Sequence, residues 1–357
     1  MPRSDSTAQL CARWCRHTLH FRFTAITSRE RMTRKDTYYI QLFDPSRPEV
    51  TGLGEAALFP GLSPDPLDGY EEMMQRVCAD PARFLADTSL LGPYSSIRMG
   101  LETAAADLAN GGCGLIHPSP WSRGETSIRI NGLVWMGDKE TMASRIDSKL
   151  SEGFSCIKIK IGGIDFGHEL DLLRHIRSLA PSVELRLDAN GAFPPGQALE
   201  RLEALSHFDI HSIEQPIAAG QWDEMARICR LSPIPIALDE ELIGLDDTPG
   251  QEAMLDAVRP AYIILKPTLC GGFAGADRWI NLARERGIGW WATSALESNV
   301  GLNAIAQWVA THPSSLPQGL GTGQLFTDNI PSPLRLVADR LSLDPDTAWD
   351  IPQLPWK

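Results

Sequence analysis

CIKIKIGGIDFGHELDLLRHIRSLAPSVELRLDAN, residues 156–190, reads as a strand, a helix and a second strand. Cys156, Ile157, Ile159 and Ile161 make the first run apolar enough to bury. Lys158 and Lys160 interrupt it two residues apart, so both lysines share one face of that strand. The middle stretch, DFGHELDLLRHIRSLA, repeats its apolar residues at helical spacing. The second run, ELRLDAN, is apolar until it reaches the carboxylate of Asp188. A short β-prone run followed by an amphipathic helix is one unit of a parallel sheet covered by helices.

The unit recurs on both sides. Upstream stands IRINGLVWM, from Ile128; downstream stand IHSIEQP, PIALDE, YIILKP and GWWATSA, with amphipathic stretches between them. At least seven units without a Gly-rich dinucleotide fingerprint predict a closed barrel rather than a doubly wound sheet. The missing GxGxxG also argues against a nicotinamide enzyme.

Each buried run finishes on a polar or charged residue. Lys160, Asp188, Glu214, Asp239, Lys266 and Ser294 follow one another at 28, 26, 25, 27 and 28 residues, about one βα unit each. Thr293 precedes Ser294 at the seventh run. A ladder of charges at the carboxyl ends of barrel strands is the pattern of an active site. Asp188, Glu214 and Asp239 would repel one another unless a cation sat among them. Their oxygen donors suit a hard divalent ion, Mg²⁺ first and Mn²⁺ as a substitute; no His stands on the ladder to favour zinc. Lys158 beside Lys160 is expected to lower the pKa of its neighbour, which would let Lys160 act as a base. Lys266 would face it across the mouth. A metal opposite a lysine base suits removal of a proton α to a carboxylate. The expected partner is therefore a small-molecule carboxylate.

The rest of the chain bounds this reading. The sequence has 357 residues, 43% hydrophobic and 22% charged, an ordinary globular balance. A net charge of −12 gives no field to hold a nucleic-acid backbone, so no nucleic acid is expected. No apolar run is long enough for a membrane span, and the polar N-terminus has no signal-peptide core. Seven scattered cysteines without CxxC fit buried, reduced thiols in a cytoplasmic protein. The first third reads as α+β: strands over Leu19–Thr27 and Thr37–Phe43, and a helix over Ser95–Asn110 stopped by Gly111 and Gly112. Between the strands, SRERMTRKD (Ser28–Asp36) reads as a basic connector, with Arg29, Arg31, Arg34 and Lys35 as a lid for an anionic ligand. The expected divisions are a capping domain over residues 1–127, a catalytic barrel over 128–325 and a segment over 326–357 that packs back on the cap.

KIKIG (Lys158, Lys160), LDAN (Asp188, Asn190), IEQP (Glu214, Gln215), LDEE (Asp239, Glu240) and ILKP (Lys266) together resemble the enolase superfamily, and the KxK with a later Lys resembles its muconate-lactonizing-enzyme subgroup. INGLVWMG (Ile130–Gly137), TSALESNVGLNAIAQ (Thr293–Gln307) and QGLGTGQLFTDN (Gln318–Asn329) are similar to the o-succinylbenzoate synthase family, dehydratases of menaquinone biosynthesis. The resemblance implies a modified TIM barrel, (β/α)7β, with an α+β cap. It implies Mg²⁺ on Asp188, Glu214 and Asp239, Lys160 as base, Lys266 as a charge on the opposite face and Lys158 as a helper. It also implies contacts from Thr293, Ser294, Gly321 and Thr322 to the substrate's succinyl arm. N-acylamino acid racemase, dipeptide epimerase and muconate cycloisomerase share the scaffold and stay as alternatives, and assembly into a homo-oligomer is left open. Dipeptide epimerases usually carry an aspartate pair after the last strand, where this chain reads GTGQL.

Overall fold

The computed structural model describes residues 10–26 and 31–357. β1 (Cys11–Ile26), β2 (Arg31–Phe43) and β3 (Thr51–Ala56) form an antiparallel sheet in that order. Three helices follow: α1 (Tyr70–Ala79), α2 (Pro81–Ala86) and α3 (Ser95–Ala109). α3 crosses β3 so closely that side chains are excluded. A Cβ on Gly54 would stand 1.9 Å from the Gly100 carbonyl oxygen, and one on Gly52 2.0 Å from that of Ala104.

Both strands are longer than the sequence pattern suggested. β2 begins at Arg31, so Arg31–Asp36 is strand rather than connector, paired with β1 through Lys35 opposite Leu19 and Arg34 opposite His20. Residues 27–30, including Arg29, lie outside the described residues. The polarity of this stretch concealed its strand character, because Arg31, Thr33 and Arg34 face outward while Met32 and Lys35 are buried.

The barrel comes next. Its parallel strands are β5 (Gly132–Val134), β6 (Cys156–Lys160), β7 (Glu184–Asp188), β8 (Ile210–Glu214), β9 (Ile236–Leu238), β10 (Tyr262–Leu265) and β11 (Gly289–Ala292), adjacent in chain order. Helices α4 (Lys139–Ser151), α5 (Phe166–Leu179), α6 (Pro195–Ser206), α7 (Trp222–Leu231), α8 (Thr248–Val258), α9 (Gly272–Glu285) and α10 (Asn299–Ala310) alternate with them. The eighth rung is two residues long: Gln318 bridges Ile130 and Gly319 bridges Thr293, both parallel, which joins the first strand to the last. The Gln318 side chain reinforces the seam by accepting the Ala292 N–H at 2.7 Å.

The first apolar run divides. β4 (Ile128–Arg129) leaves the barrel and pairs with the C-terminal hairpin β12 (Leu334–Val337) and β13 (Arg340–Leu343), while the residues from Gly132 enter it. Trp121 Nε1 donates to the Leu341 carbonyl at 3.0 Å beneath that hairpin. The last residues run to the antiparallel sheet, where the Lys357 N–H donates to the Trp14 carbonyl at 2.8 Å. No described helix is long and apolar enough to cross a membrane. All seven cysteines are unpaired, and Cys113 is exposed rather than buried.

Asp65 is buried beside the start of α3, accepting from the Ser96 N–H at 3.0 Å and the Ser96 hydroxyl at 2.5 Å. Burial pushes its carboxyl from 3.8 up to about 7. Between those values the folded chain holds a proton that the unfolded chain releases, so this group makes stability fall as pH rises through the window. Asp65→Asn should flatten that slope. Urea midpoints at about pH 5 and about pH 8 test it; an unchanged wild-type slope would refute the assignment.

Candidate active site

Register places the first rungs side by side. Lys160 on β6 pairs with Asp188 on β7, and Asp188 pairs with Glu214 on β8. Asp239 follows the last residue of β9, Lys266 the last of β10 and Thr293 the last of β11, which continues the row around one rim. The row exists because each strand is apolar on its outer face and ends at the same height.

Asp188, Glu214 and Asp239 are 1%, 2% and 1% exposed, and each is met by an ammonium. Lys158 donates to both Glu214 oxygens at 2.8 and 2.6 Å and stands 3.0 Å from Asp188. Lys160 reaches Asp188 at 2.9 Å and the Asn190 side-chain oxygen at 2.7 Å. Lys266 is paired with Asp239. Burial would lower the Lys158 pKa, but Asp188, Glu214 and Asp239 outweigh it and hold that ammonium well above its usual range. Burial is likewise overcome at Lys266, raised by Asp239, Glu240 and Glu214. At Asp188 burial pushes up, and Lys158 and Lys160 win, holding the carboxyl well below the carboxylate range. Glu214 goes the other way: burial and the Asp188 charge push it up against the pull of Lys158. Lys158 is therefore clamped by two carboxylates rather than left facing Lys160, a pairing that adjacency on one strand did not reveal.

Among the described residues no set of carboxylates converges as a ready-made ligand cage. Lys158 lies between Asp188 and Glu214, and Lys266 holds Asp239. The donor chemistry nonetheless fits a hard divalent cation: three buried carboxylates from neighbouring strand ends, one of them raised by burial and then by the negative charge beside it.

A cavity of about 270 Å³ opens on this row. Lys158, Lys160, Asp188 and Lys266 line it, whereas Glu214 and Asp239 do not. Asn131, Leu133 and Trp135, alternating along the first barrel run, make one wall, and the Trp135 ring lies 5.9 Å from the Lys160 ammonium. Thr293, Ser294, Gly321 and Thr322 make another. The Thr293 hydroxyl is committed to the Gly319 carbonyl at 3.0 Å, while the Ser294 and Thr322 hydroxyls pair at 2.7 Å inside the cavity. The antiparallel region contributes Phe59, Pro60, Gly61 and Leu62. Arg31, Arg34 and Lys35 are not among the walls, so the expected basic lid is not what the described residues present.

Residues 141–346 match the Enolase C-terminal domain-like family. The o-succinylbenzoate synthase of Desulfotalea psychrophila is 48% identical, over 89% of this chain and 95% of that one. The chain belongs to the enolase superfamily. The crystal structure of MenC from Desulfotalea psychrophila aligns with a TM-score of 0.83 at 43% identity, covering 94% of this chain and 100% of that chain. A dipeptide epimerase from Enterococcus faecalis, complexed with Mg and the dipeptide L-Leu-L-Tyr, aligns at 0.82 over 94% of this chain and 97% of its own. At 17% identity that second likeness is one of fold alone.

Within this superfamily fold one supporting residue carries more than its motif disclosed. Asn190 and Gln215, just past two of the strand-end carboxylates, have left-handed backbone with φ of 43° and 42°. Asn tolerates that region; Gln needs compensation from its surroundings. The Gln215 side-chain oxygen accepts from the N–H groups of Asp239 at 3.2 Å and Glu241 at 3.3 Å. Its amide donates to the Ile217 carbonyl at 3.0 Å and the Glu241 carboxylate at 3.2 Å. One buried side chain thus sets the strand end on which Asp239 stands. IEQP marked the spot through Glu214, but Gln215 acts on backbone groups 24 and 26 residues away, which no local pattern signals. Gln215→Leu would leave two buried N–H groups unpaired and should cost about 2–4 kcal/mol of stability, read from the urea midpoint. A loss under about 0.5 kcal/mol would mean that other groups hold this strand end.

Proposed function

We propose that the chain is an o-succinylbenzoate synthase, a carbon–oxygen lyase of menaquinone biosynthesis that converts 2-succinyl-6-hydroxy-2,4-cyclohexadiene-1-carboxylate to 2-succinylbenzoate. The observation that carries this reading is the 48% identity to the Desulfotalea psychrophila synthase over most of both chains. The seven unpaired cysteines support a reducing, cytoplasmic setting.

The cavity's own residues suit a dehydration from one face. Lys160 takes the proton from the ring carbon that bears the carboxylate. The electrons of that C–H bond become a ring double bond as the neighbouring C–O bond breaks, and the ring becomes aromatic. Lys160 then returns the proton to the departing oxygen, so water leaves and no oxidant is needed. Lys266 stays charged beside Asp239 and stabilises the negative charge that develops on the substrate. Lys158, clamped by Asp188 and Glu214, holds those two carboxylates in place. Asp188, Glu214 and Asp239 would hold a divalent cation, Mg²⁺ or in its place Mn²⁺, which when bound grips the substrate carboxylate and draws off charge. Leu133 and Trp135 offer the ring an apolar wall, and Ser294, Thr322 and the Gly321 backbone face the succinyl arm, with Thr293 shaping the wall behind them.

The purified protein should aromatise the cyclohexadiene, followed by ultraviolet absorbance, lose turnover in chelator and regain it with Mg²⁺ or Mn²⁺. Asp188→Asn, Glu214→Gln and Asp239→Asn should each raise the metal concentration needed. Full turnover in excess chelator would remove the cation from the site.

Lys160→Ala should lose about 10⁴-fold in rate, the top of the range for a general base, because it serves both proton steps. Lys266→Arg should keep more activity than Lys266→Ala, since charge alone is required there. One observation favours a second reading: Lys160 and Lys266 stand at the ends of different strands and both line the cavity, as a two-base racemase requires. In D₂O a racemase would exchange the α-proton of an N-acylamino acid through Lys160 for one enantiomer and through Lys266 for the other. That symmetry without dehydration would replace the synthase reading.

A further inference from the structure

The first backbone donors of a helix have no partner within it and must find one elsewhere. At the start of α10 three parts of the chain supply them. The Ser298 hydroxyl, at the N-cap, accepts the Val300 N–H at 3.2 Å, and the Asn329 side-chain oxygen accepts the Asn299 N–H at 2.8 Å. The N–H groups of Ser298 and Gly301 both go to the carboxylate of Glu55, each at 2.9 Å. Glu55 is a residue of β3 in the antiparallel sheet and is 1% exposed. It also accepts the Ser298 hydroxyl at 2.5 Å and the Thr37 hydroxyl at 2.7 Å, so each of its oxygens takes two bonds.

In a capping box, the residue three past the N-cap serine is a Glu or Gln whose side chain returns to the serine N–H. Here that position is Gly301, and no side chain fits it: a Cβ would stand 2.7 Å from Glu297 Cγ and 2.9 Å from the Glu55 carboxylate. Glu55 makes the returning bond instead, from 243 residues away. The start of α10 is also the end of a loop that walls the cavity, with Thr293, Ser294, Ala295 and Leu296 all lining it. Leu296 has left-handed backbone, φ 63°, which a residue with a Cβ keeps only where its flanks are fixed. On one flank the buried Glu297 carboxylate accepts the Ala295 N–H at 2.6 Å. On the other, Glu55 grips Ser298 by both its N–H and its hydroxyl.

We propose that Glu55 is a positioning residue for the substrate's side arm: by completing the cap of α10 from the antiparallel sheet, it holds the strained turn at Leu296 and with it the Ser294 wall of the cavity. The inference deepens the proposed dehydration and rests on it for the identity of the arm. It gives the antiparallel sheet a part in substrate binding although that sheet carries no rung of the charge ladder. The bonds of Glu55 run to Thr37, Ser298 and Gly301, so its loss acts on the wall and leaves the lysine base in place.

The test uses the full chain with Mg²⁺ and Glu55→Gln, which keeps the shape but turns an amide donor toward groups that are themselves donors. It is followed by steady-state kinetics per folded molecule and by amide exchange over residues 293–302, with α5 as the reference. Glu55→Gln should raise KM for the cyclohexadiene at least about tenfold and leave kcat within about threefold, since binding shared by substrate and transition state moves KM alone. Exchange should quicken over 293–302 and stay at the wild-type rate in α5. A KM within about twofold of wild type, a loss in kcat without a rise in KM, or exchange that quickens equally in both segments overturns the proposal. If Glu55→Gln fails to fold, Ser298→Ala decides: it removes one of the four bonds to Glu55 and should raise KM about threefold with faster exchange over 293–302, and an unchanged KM overturns the role of Glu55. Should the wild type not aromatise the diene, the reaction assignment falls and amide exchange alone decides: quickening confined to 293–302 upholds the positioning, and unchanged exchange there overturns it.

Discussion

The ammonium of Lys158 between the carboxylates of Asp188 and Glu214 is the contact on which the barrel mouth depends. Three carboxylates and three lysines lie within one rim, most of them nearly inaccessible to water. Burying that much charge is tolerable only if opposite signs alternate at hydrogen-bond distance, because an isolated buried ion costs several kcal/mol. The alternation is a product of register: Lys160, Asp188 and Glu214 are cross-strand neighbours, and Lys158 reaches up from one layer below to complete the row. A slip of one residue on any of these strands would turn its charges toward the helices.

Closure of the barrel keeps that register. The segment at Gln318 and Gly319 is too short to count as a strand by length, yet it bridges Ile130 and Thr293 and uses the Gln318 side chain as an extra backbone partner. Gln215 does the same work at β9, whose three residues could not by themselves hold Asp239 in place. Short strands leave the site's precision to side chains that bond to backbone, and those side chains are polar and buried for that reason.

The ladder was legible in the sequence because two periods coincide: charges two apart within a run, and charged run-ends 25 to 28 residues apart. The barrel followed from the same pattern. What stayed hidden depends on tertiary contacts. Arg31–Asp36 read as a polar connector because its outward side chains are basic, while buried Met32 and Lys35 are too few to set a visible alternation. Lys35 read as a surface cation because its burial comes from how β2 packs in the fold, which no local pattern signals. Asn131 and Trp135 could have been marked from the alternation around Leu133, since every second residue of a barrel strand faces inward.

A shared scaffold does not choose the reaction. The fold of this chain matches a dipeptide epimerase at 17% identity almost as closely as it matches MenC at 43%. Lysines on two walls allow either one base working twice or two bases working once. The choice must come from what the cavity holds between them, and that is set by groups outside the ladder. In the proposed reaction, a ring seated against Leu133 and Trp135 would present one face to Lys160, which lines the same cavity. An arm directed toward the paired Ser294 and Thr322 hydroxyls would then fix its rotation. These walls belong to the first strand, the closing segment and the turn at Phe59–Leu62, three regions free to vary while the buried charges stay as they are.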